Sequence, residues 1–235
     1  KIAHMELSPV PAFDTVATGF LLGQLANNHK MGDRQFFYVN TAPRKDDPRP
    51  RVNNAGEGLV YAKLKNGVQI VAVNSGYSLS FIKERAVEMR VIACSAEGSQ
   101  FRSRDVFPSA FGDIAHGDTT LLREAVTDIP SVPESAVCYT DGYGNIKTSI
   151  PAEALDAVRG KHVSLTIDDQ MHVARVADGI FAVADGDLVL SAGSSGWTRP
   201  DGTLLRFVEI SLRGGSASRL FKRPKGGAKV AWQVV

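Results

Sequence analysis

Hydrophobic and polar positions change texture once along this chain, near residue 126. In the first part, apolar residues recur at helical spacing in two places. Val16, Phe20, Leu21 and Leu25 follow Pro11-Ala12-Phe13-Asp14 and predict a helix with one apolar face, with Asp14 as N-cap and Phe13 stapling the first turn. Phe107, Ala110, Phe111, Ile114 and Ala115 predict a second helix, with Asp105 at its start, Pro108 in its first turn and Gly117 just past its end. Between them, Phe36–Asn40 predicts a short buried strand and Met89–Cys94 another. Leu59–Leu64 and Val68–Val73 flank Asn66-Gly67 and predict a hairpin, because Asn-Gly accepts the positive φ angles of a tight turn. Pro43–Arg51 holds three prolines among charges and predicts a solvated loop.

After Val126 the pattern shortens. Thr127–Glu134 predicts an extended linker, and β-favouring runs then alternate with Gly and Asp: Ala136–Tyr139, His162–Ile167, His172–Val176, Asp187–Leu190, Leu205–Leu212 and Lys229–Val235. The predicted fold class is therefore an α/β N-terminal domain (residues 1–126), a linker (127–134) and an all-β C-terminal domain, a small antiparallel barrel (135–235). No internal repeat is present. Lys222–Lys229 reads as a loop rather than a phosphate cradle.

Composition narrows the function classes. A chain of 235 residues, 43% hydrophobic and 22% charged, can bury a real core. Its net charge of +2 gives no basis for a nucleic-acid surface, and no apolar run has the length of a membrane span, so neither nucleic acid nor membrane is an expected partner. Lys1–Glu6 lacks the apolar stretch of a signal peptide. Cys94 and Cys138 lie far apart without CxxC spacing and read as reduced thiols of a cytoplasmic protein. His4, His29, His116, His162 and His172 show no metal-binding spacing, so no metal is expected.

Three stretches carry polar residues where a core needs none. Phe101-Arg102-Ser103-Arg104-Asp105 precedes the second helix, where a hydroxyl and backbone N–H groups can either cap the helix or hold an anion. Asp141-Gly142-Tyr143-Gly144-Asn145, followed by Ile146–Ile150, reads as a Gly-rich turn between strands. Gly193-Ser194-Ser195-Gly196 continues, after a Pro200-Asp201-Gly202 turn, to Glu209–Ala217.

The order and context of these stretches resemble the family that includes S-adenosylmethionine (SAM) hydrolase, also called SAM hydroxide adenosyltransferase, and the fluorinase and chlorinase enzymes. Ser8–Asp14 resembles the family's Pro-aromatic-Asp approach to a helix, and Phe101–Asp105 its Phe-aromatic-Gly/Ser-Arg-acid motif. Asp141–Asn145 resembles Asp-x-Phe-Gly-Asn, Thr148-Ser149-Ile150 resembles Thr-Asn-Ile, and Gly193–Gly196 resembles Asn-Ser-x-Gly. The resemblance implies a trimer, with SAM as substrate or ligand between one subunit's first domain and the next subunit's second, and no other cofactor. It implies that Phe13 packs on the ligand and that Tyr143 and Phe181 sandwich adenine. Asn145 and Arg213 would bond the adenine edge, helped by backbone near Gly215, while Asp141 would meet the methionine ammonium and Ser194 its carboxylate.

The sequence also departs from the family. The hydrolases use an Asp, a nearby Arg and a His; here Asn40 stands at the Asp position, Arg102 replaces His, and Arg44, Arg49 and Arg51 all lie near the Arg position without matching its register. Ser103 follows Arg102 as in fluorinase. Gly193 replaces the Asn of the Ser motif, and Asn74-Ser75-Gly76 stands where relatives have Asp-Asn-Gly. Lys1–Leu7 aligns where relatives have already completed an opening β-α-β unit that carries a ribose-binding Asp. The catalytic candidates are thus Arg102, Ser103 and Asn40. The implied function is SAM hydrolysis to adenosine and L-methionine by attack at C5′. The alternatives are an adenosyl-binding module without turnover, and a trimeric scaffold.

Overall fold

The computed structural model describes residues 4–28, 34–41, 57–95, 101–199 and 201–235. Arg44, Arg49 and Arg51 lie outside them. The described part of the N-terminal half is a five-stranded sheet of order β1-β3-β2-β4-β5, formed by β1 (Phe36–Val39), β2 (Leu59–Leu64), β3 (Gln69–Val73), β4 (Ala86–Ile92) and β5 (Leu122–Ala125). Only β1 and β3 pair in parallel; the other pairs are antiparallel. β2 is apolar at every position but the exposed Lys63, and the fold shows why. Val60, Ala62 and Leu64 face helix α1 (Thr15–Asn28), while Leu59 and Tyr61 face α3 (Phe107–Ala115), so both sheet faces are covered. The Asn66-Gly67 hairpin forms as expected, with Gly67 at φ 87° and its N–H bonded to Leu64 O. β1 is a half-exposed edge strand rather than the buried strand expected. β5 was not anticipated.

The two helices depart from their sequence readings in instructive ways. Helix α1 is buried nearly all round, not on one face: Thr15, Val16, Ala17, Thr18, Gly19, Phe20, Leu22, Gly23, Ala26 and Asn27 are all buried. Asp14 caps it, its Oδ1 accepting Ala17 N–H at 2.9 Å. Phe13 cannot staple it in the usual way, because the partner position holds Thr18, whose hydroxyl instead donates to Asp14 O. The segment expected to cap α3 is itself a helical turn, α2 (Arg102–Asp105), and Asp105 pairs with Arg104 at 2.5 Å instead of capping. Gly117, at φ 90°, ends α3 as expected.

The C-terminal half is one curled all-β sheet, a half-barrel, of order β12-β8-β9-β10-β11-β7-β6. Its strands are β6 (Val137–Thr140), β7 (Ile146–Pro151), β8 (His162–Ile167), β9 (Gln170–Val176), β10 (Leu188–Thr198), β11 (Leu204–Leu212) and β12 (Val230–Val234), with the short helix α4 (Ala217–Leu220) before β12. All pairs are antiparallel except β9–β10. The edges approach each other at an isolated bridge between Ala136 and Lys229. Inside lie Val163, Leu165, Ile167, Leu190, Val208 and Ile210. The fold is thus an α/β N-terminal part followed by an all-β part. Thr127–Ser131 has no regular structure, yet Ile129 packs in the α1 core and its carbonyl accepts Lys83 Nζ at 3.0 Å.

The two halves share a small core of Val16, Phe20 and Phe81 from one side and Cys138, Trp197 and Phe207 from the other. Phe20 meets Phe81 edge-on at 5.6 Å and Phe207 at 5.7 Å. Cys94 and Cys138 are both free thiols, and burial pushes the pKa of each up. Close approach of α1 to its neighbours requires its glycines: a Cβ on Gly19 would sit 2.2 Å from Tyr77 O. Gly112, inside α3, faces open space. Opposite effects on stability follow. Gly19→Ala should destabilise the protein by about 1–3 kcal/mol through overpacking, whereas Gly112→Ala should stabilise it by about 0.5–1 kcal/mol through helix propensity. Urea unfolding of the two variants beside the wild type measures both signs.

Candidate functional site

Strand directions gather the N-terminal candidates. β1, β3 and β4 all run the same way, so their carboxyl ends share one edge of the sheet. Asn40 follows β1 and is exposed; Asn74 and Ser75 follow β3; Cys94 and Ser95 follow β4. Arg102 returns to this edge, donating from Nη2 to Ser95 O at 3.5 Å, with its guanidinium 5.1 Å from the centre of the Phe107 ring. Its Nε is buried and has no hydrogen-bond partner among the described residues. Ser103, half-buried, is the next residue of α2. The start of α1 is tied to the same edge. Thr18 Oγ1 and Thr41 Oγ1 lie within hydrogen-bond distance at 3.1 Å, and Tyr77 N–H donates to Thr15 Oγ1 at 3.2 Å. Phe13, 53% exposed with φ 63°, stands just before that start.

The C-terminal candidates are organised by a group that sequence reasoning missed. The Asp141–Asn145 turn closes on the Asp141 carboxylate: Oδ1 accepts the N–H groups of Tyr143 and Asn145, both at 3.0 Å, and Oδ2 accepts Asn145 Nδ2 at 3.2 Å. Lys147 reaches the same Oδ2 at 3.3 Å and also pairs with Glu209 on the neighbouring strand β11. All three side chains are largely buried, Lys147 most of all with 10% exposed. A carboxylate offers about four acceptor positions, and three of those of Asp141 take hydrogen bonds from its own turn, with Lys147 in ion-pair range of the second oxygen. The signal for Lys147 was a lysine on an otherwise buried strand, with carboxylates at both ends of its reach.

Glu209 extends this group to the Ser194 stretch. Gly193 packs directly against it, and a Cβ there would meet Glu209 Oε2 at 2.7 Å. That contact is a physical reason for glycine at this position. β10 bulges between Ala192 and Gly196, and the bulge leaves Ser194 exposed. Arg213 follows β11, donates to Val183 O and lies 5.8 Å from the Phe181 ring. Tyr143 and Phe181 are each 85% exposed. Gly215, exposed, begins the approach to α4.

Neither of two cavities formed by the described residues brings the two groups together. A cleft of about 610 Å³ lies between the start of α1 (Pro11, Asp14, Ala17) and the half-barrel, and it takes in Asp141, Tyr143 and Gly215. Asn40, Arg102, Ser103, Phe13, Phe181, Ser194 and Arg213 line neither it nor the smaller cavity beside it. Among the described residues no three His, Cys, Asp or Glu side chains gather as a metal site, and no helix is long and apolar enough to cross a membrane.

Comparison with known proteins adds to this geometry. The chain resembles two solved structures. One is an uncharacterized conserved protein from Thermotoga maritima, at a TM-score of 0.69 and 19% identity over 95% of this chain and 86% of that one. The other is a conserved hypothetical protein from Thermus thermophilus, at 0.62 and 18% over 96% and 84%. At these identities the likeness is one of fold. No curated protein matches the chain. Residues 135–228, which hold the Asp141 turn, Lys147, the β10 bulge and Arg213, match the family model of the SAM hydroxide adenosyltransferase C-terminal domain, and this supports a relation of that region to the SAM hydroxide adenosyltransferase family.

Proposed function

We propose that the protein binds SAM between the strand-end edge of one subunit and the half-barrel of another, and hydrolyses it to adenosine and methionine. The observation that carries this reading is the match of residues 135–228 to the SAM hydroxide adenosyltransferase C-terminal domain. Its adenine-facing groups are Tyr143, Phe181, Asn145 and Arg213, with Gly215 offering backbone and Ser194 exposed for a carboxylate. Asp141 fixes Asn145 through the turn, and in this reading its carboxylate, which lines the cleft, meets the methionine ammonium. In the reaction, a water oxygen bonds to C5′ as the C5′–S bond breaks. The bonding pair passes to sulfur, which leaves as the neutral thioether of methionine, and the water gives up a proton. The sulfonium is already a good leaving group, so the protein has mainly to position and partly desolvate the water.

Arg102 is no base, since its guanidinium stays protonated. Its buried Nε–H, without an acceptor among the described residues, suits a donor that orients the water oxygen or holds hydroxide beside Ser103. A second reading, a binding module without turnover, draws support from Asn40, a neutral and exposed residue where the hydrolases place a carboxylate.

Incubating the protein with SAM and separating the products by chromatography tests the reaction. Adenosine and methionine should appear in equal amounts, more slowly than with a relative that keeps the Asp, Arg and His. Arg102→Ala should lower the rate further, and Arg102→His alone should not restore it. SAM binding without products would favour the second reading, and neither binding nor turnover would remove both.

The shared site requires assembly. Light scattering should return a trimer or a multiple of one, and a monomer at micromolar concentration would exclude a site built from two subunits.

Lys147 makes a third prediction. Removing one partner of a buried ion pair strands the others, at a cost of about 3–5 kcal/mol. Lys147→Met should therefore destabilise the protein by about that much and weaken SAM binding, while Lys147→Met with Glu209→Met should recover much of the stability. Chemical denaturation and calorimetry of the two variants check it; equal stability of Lys147→Met and wild type would show that the group does not organise the turn.

A further inference from the structure

The cleft between α1 and the half-barrel carries a charge pattern that the adenosyl reading does not use. Its far wall is the segment from Arg219 to Gly226. Arg219, Arg223 and Lys225 are exposed on that wall, and among the described residues their side chains make no hydrogen bond or ion pair. The carboxylates facing them are already engaged. Asp14 accepts Ala17 N–H at 2.9 Å and Gly226 N–H at 2.8 Å, and Asp141 accepts three hydrogen bonds within its own turn and lies 3.3 Å from Lys147 Nζ. These bonds hold the carboxylates in place without removing their charge, and the lining carries three cations, Arg219, Arg223 and Lys225, against these two carboxylates. The smaller cavity on the other side of the segment shares Arg223 and Lys225 and adds Asp168 and Asp169, with Lys222 in the field of Asp169, so Arg219 alone of the three cations belongs only to the larger cleft.

The backbone holds the cations over the cleft. Lys222 and Arg223 adopt φ 55° and 58°, a left-handed pair that side-chain-bearing residues seldom take. Arg223 N–H donates to Ser218 O at 2.6 Å, Gly226 N–H reaches Asp14, and Gly227 N–H donates to Val137 O at 2.9 Å, so the segment is pinned on both sides. The opposite rim offers Tyr139, Thr140 and the exposed ring of Tyr143. A volume of about 610 Å³ is that of a small-molecule site.

We propose that this cleft is a binding site for a phosphorylated planar ligand of mononucleotide size. Arg219, Arg223 and Lys225 take the phosphate, as guanidinium and ammonium groups do through charge-assisted hydrogen bonds. Tyr143 offers a face for the planar ring. Tyr143 and Gly215 line the cleft and also belong to the adenosyl reading, so the ring subsite overlaps that reading, whereas Arg219, Arg223 and Lys225 lie outside it; a preference for AMP over adenosine therefore tests the cations separately from SAM turnover.

The test is calorimetry with AMP, adenosine and inorganic phosphate, on the wild type and on Arg219→Ala, Arg223→Ala, Arg223→Lys and Lys65→Ala, each checked by circular dichroism. AMP should bind about ten-fold or more tightly than adenosine, and its affinity should fall as salt rises. Arg219→Ala and Arg223→Ala should each weaken AMP by about ten-fold, the size of a lost charged hydrogen bond, while Arg223→Lys retains part of the affinity. Lys65→Ala, a cation on the N-terminal hairpin, should leave AMP binding unchanged. Phosphate should compete with AMP but bind more weakly. Equal binding of AMP and adenosine, or wild-type affinity in folded Arg219→Ala and Arg223→Ala, would overturn the site. Phosphate binding as tightly as AMP would overturn the nucleotide class.

Discussion

At Gly196, strand β10 has already parted from β9, which pairs with it only at Val189 and Leu190, and the bulge turns its backbone toward the N-terminal half. Helix α1 supplies both missing partners: Gly196 N–H donates to Gln24 Oε1 at 2.9 Å, and Asn28 Nδ2 donates to Gly196 O at 2.8 Å. Gln24 and Asn28 are four residues apart and so lie on one helix face. Gly196 has φ 151°, and a Cβ there would fall 1.9 Å from Leu205 O, so no other residue fits. A buried backbone pair left without partners would cost more than the bonds themselves contribute. The junction of the two halves therefore depends on this helix lying in one place.

Everything near the candidate sites is positioned through that helix. Its buried faces pack on the β2–β3 sheet through Leu22 and Ala26, and on the half-barrel through Val16 and Phe20. Its first turn is held from two directions, by Thr41 and Tyr77 at the strand-end edge and by Gly226 in the cationic segment. Asp14 thus links the start of α1 to the wall of the cleft. A shift of α1 would move the strand-end edge, the cleft and the β10 bulge together.

The half-barrel has a second organising group, built on charge. Lys147 joins the Asp141 turn to Glu209, and Glu209 packs on Gly193, so the turn, β11 and the bulge form one connected unit. Buried ion pairs seldom add much stability over apolar residues, but breaking one is expensive, and that asymmetry favours a single geometry. The fixed parts lie at the base of the turn, while Tyr143 and Phe181 are exposed.

Local signals carried much of this in the sequence alone. The Asn66-Gly67 hairpin, the Asp14 cap, the Gly117 helix end and the short β-favouring runs each act through a few neighbouring residues, and each was legible. The order of motifs from Asp141 to Ala217 pointed to the family whose C-terminal domain model matches residues 135–228. What the sequence could not decide depends on contacts between distant residues. Gln24 and Asn28 look like ordinary polar positions until Gly196, far along the chain, is brought against them. Thr15, Thr18 and Asn27 read as a polar helix face, yet tertiary packing buries them because two sheets close on α1 from different sides. Asp141 reads as a ligand contact, and only the folded structure shows that it also closes its own turn and lies beside Lys147. Lys222–Lys229 reads as a loop rather than a phosphate cradle, and it is the fold that sets its Arg223 and Lys225, with Arg219, along the wall of a cleft. Periodicity and turn chemistry are local and can be read in order; charge balance is a property of the assembled volume.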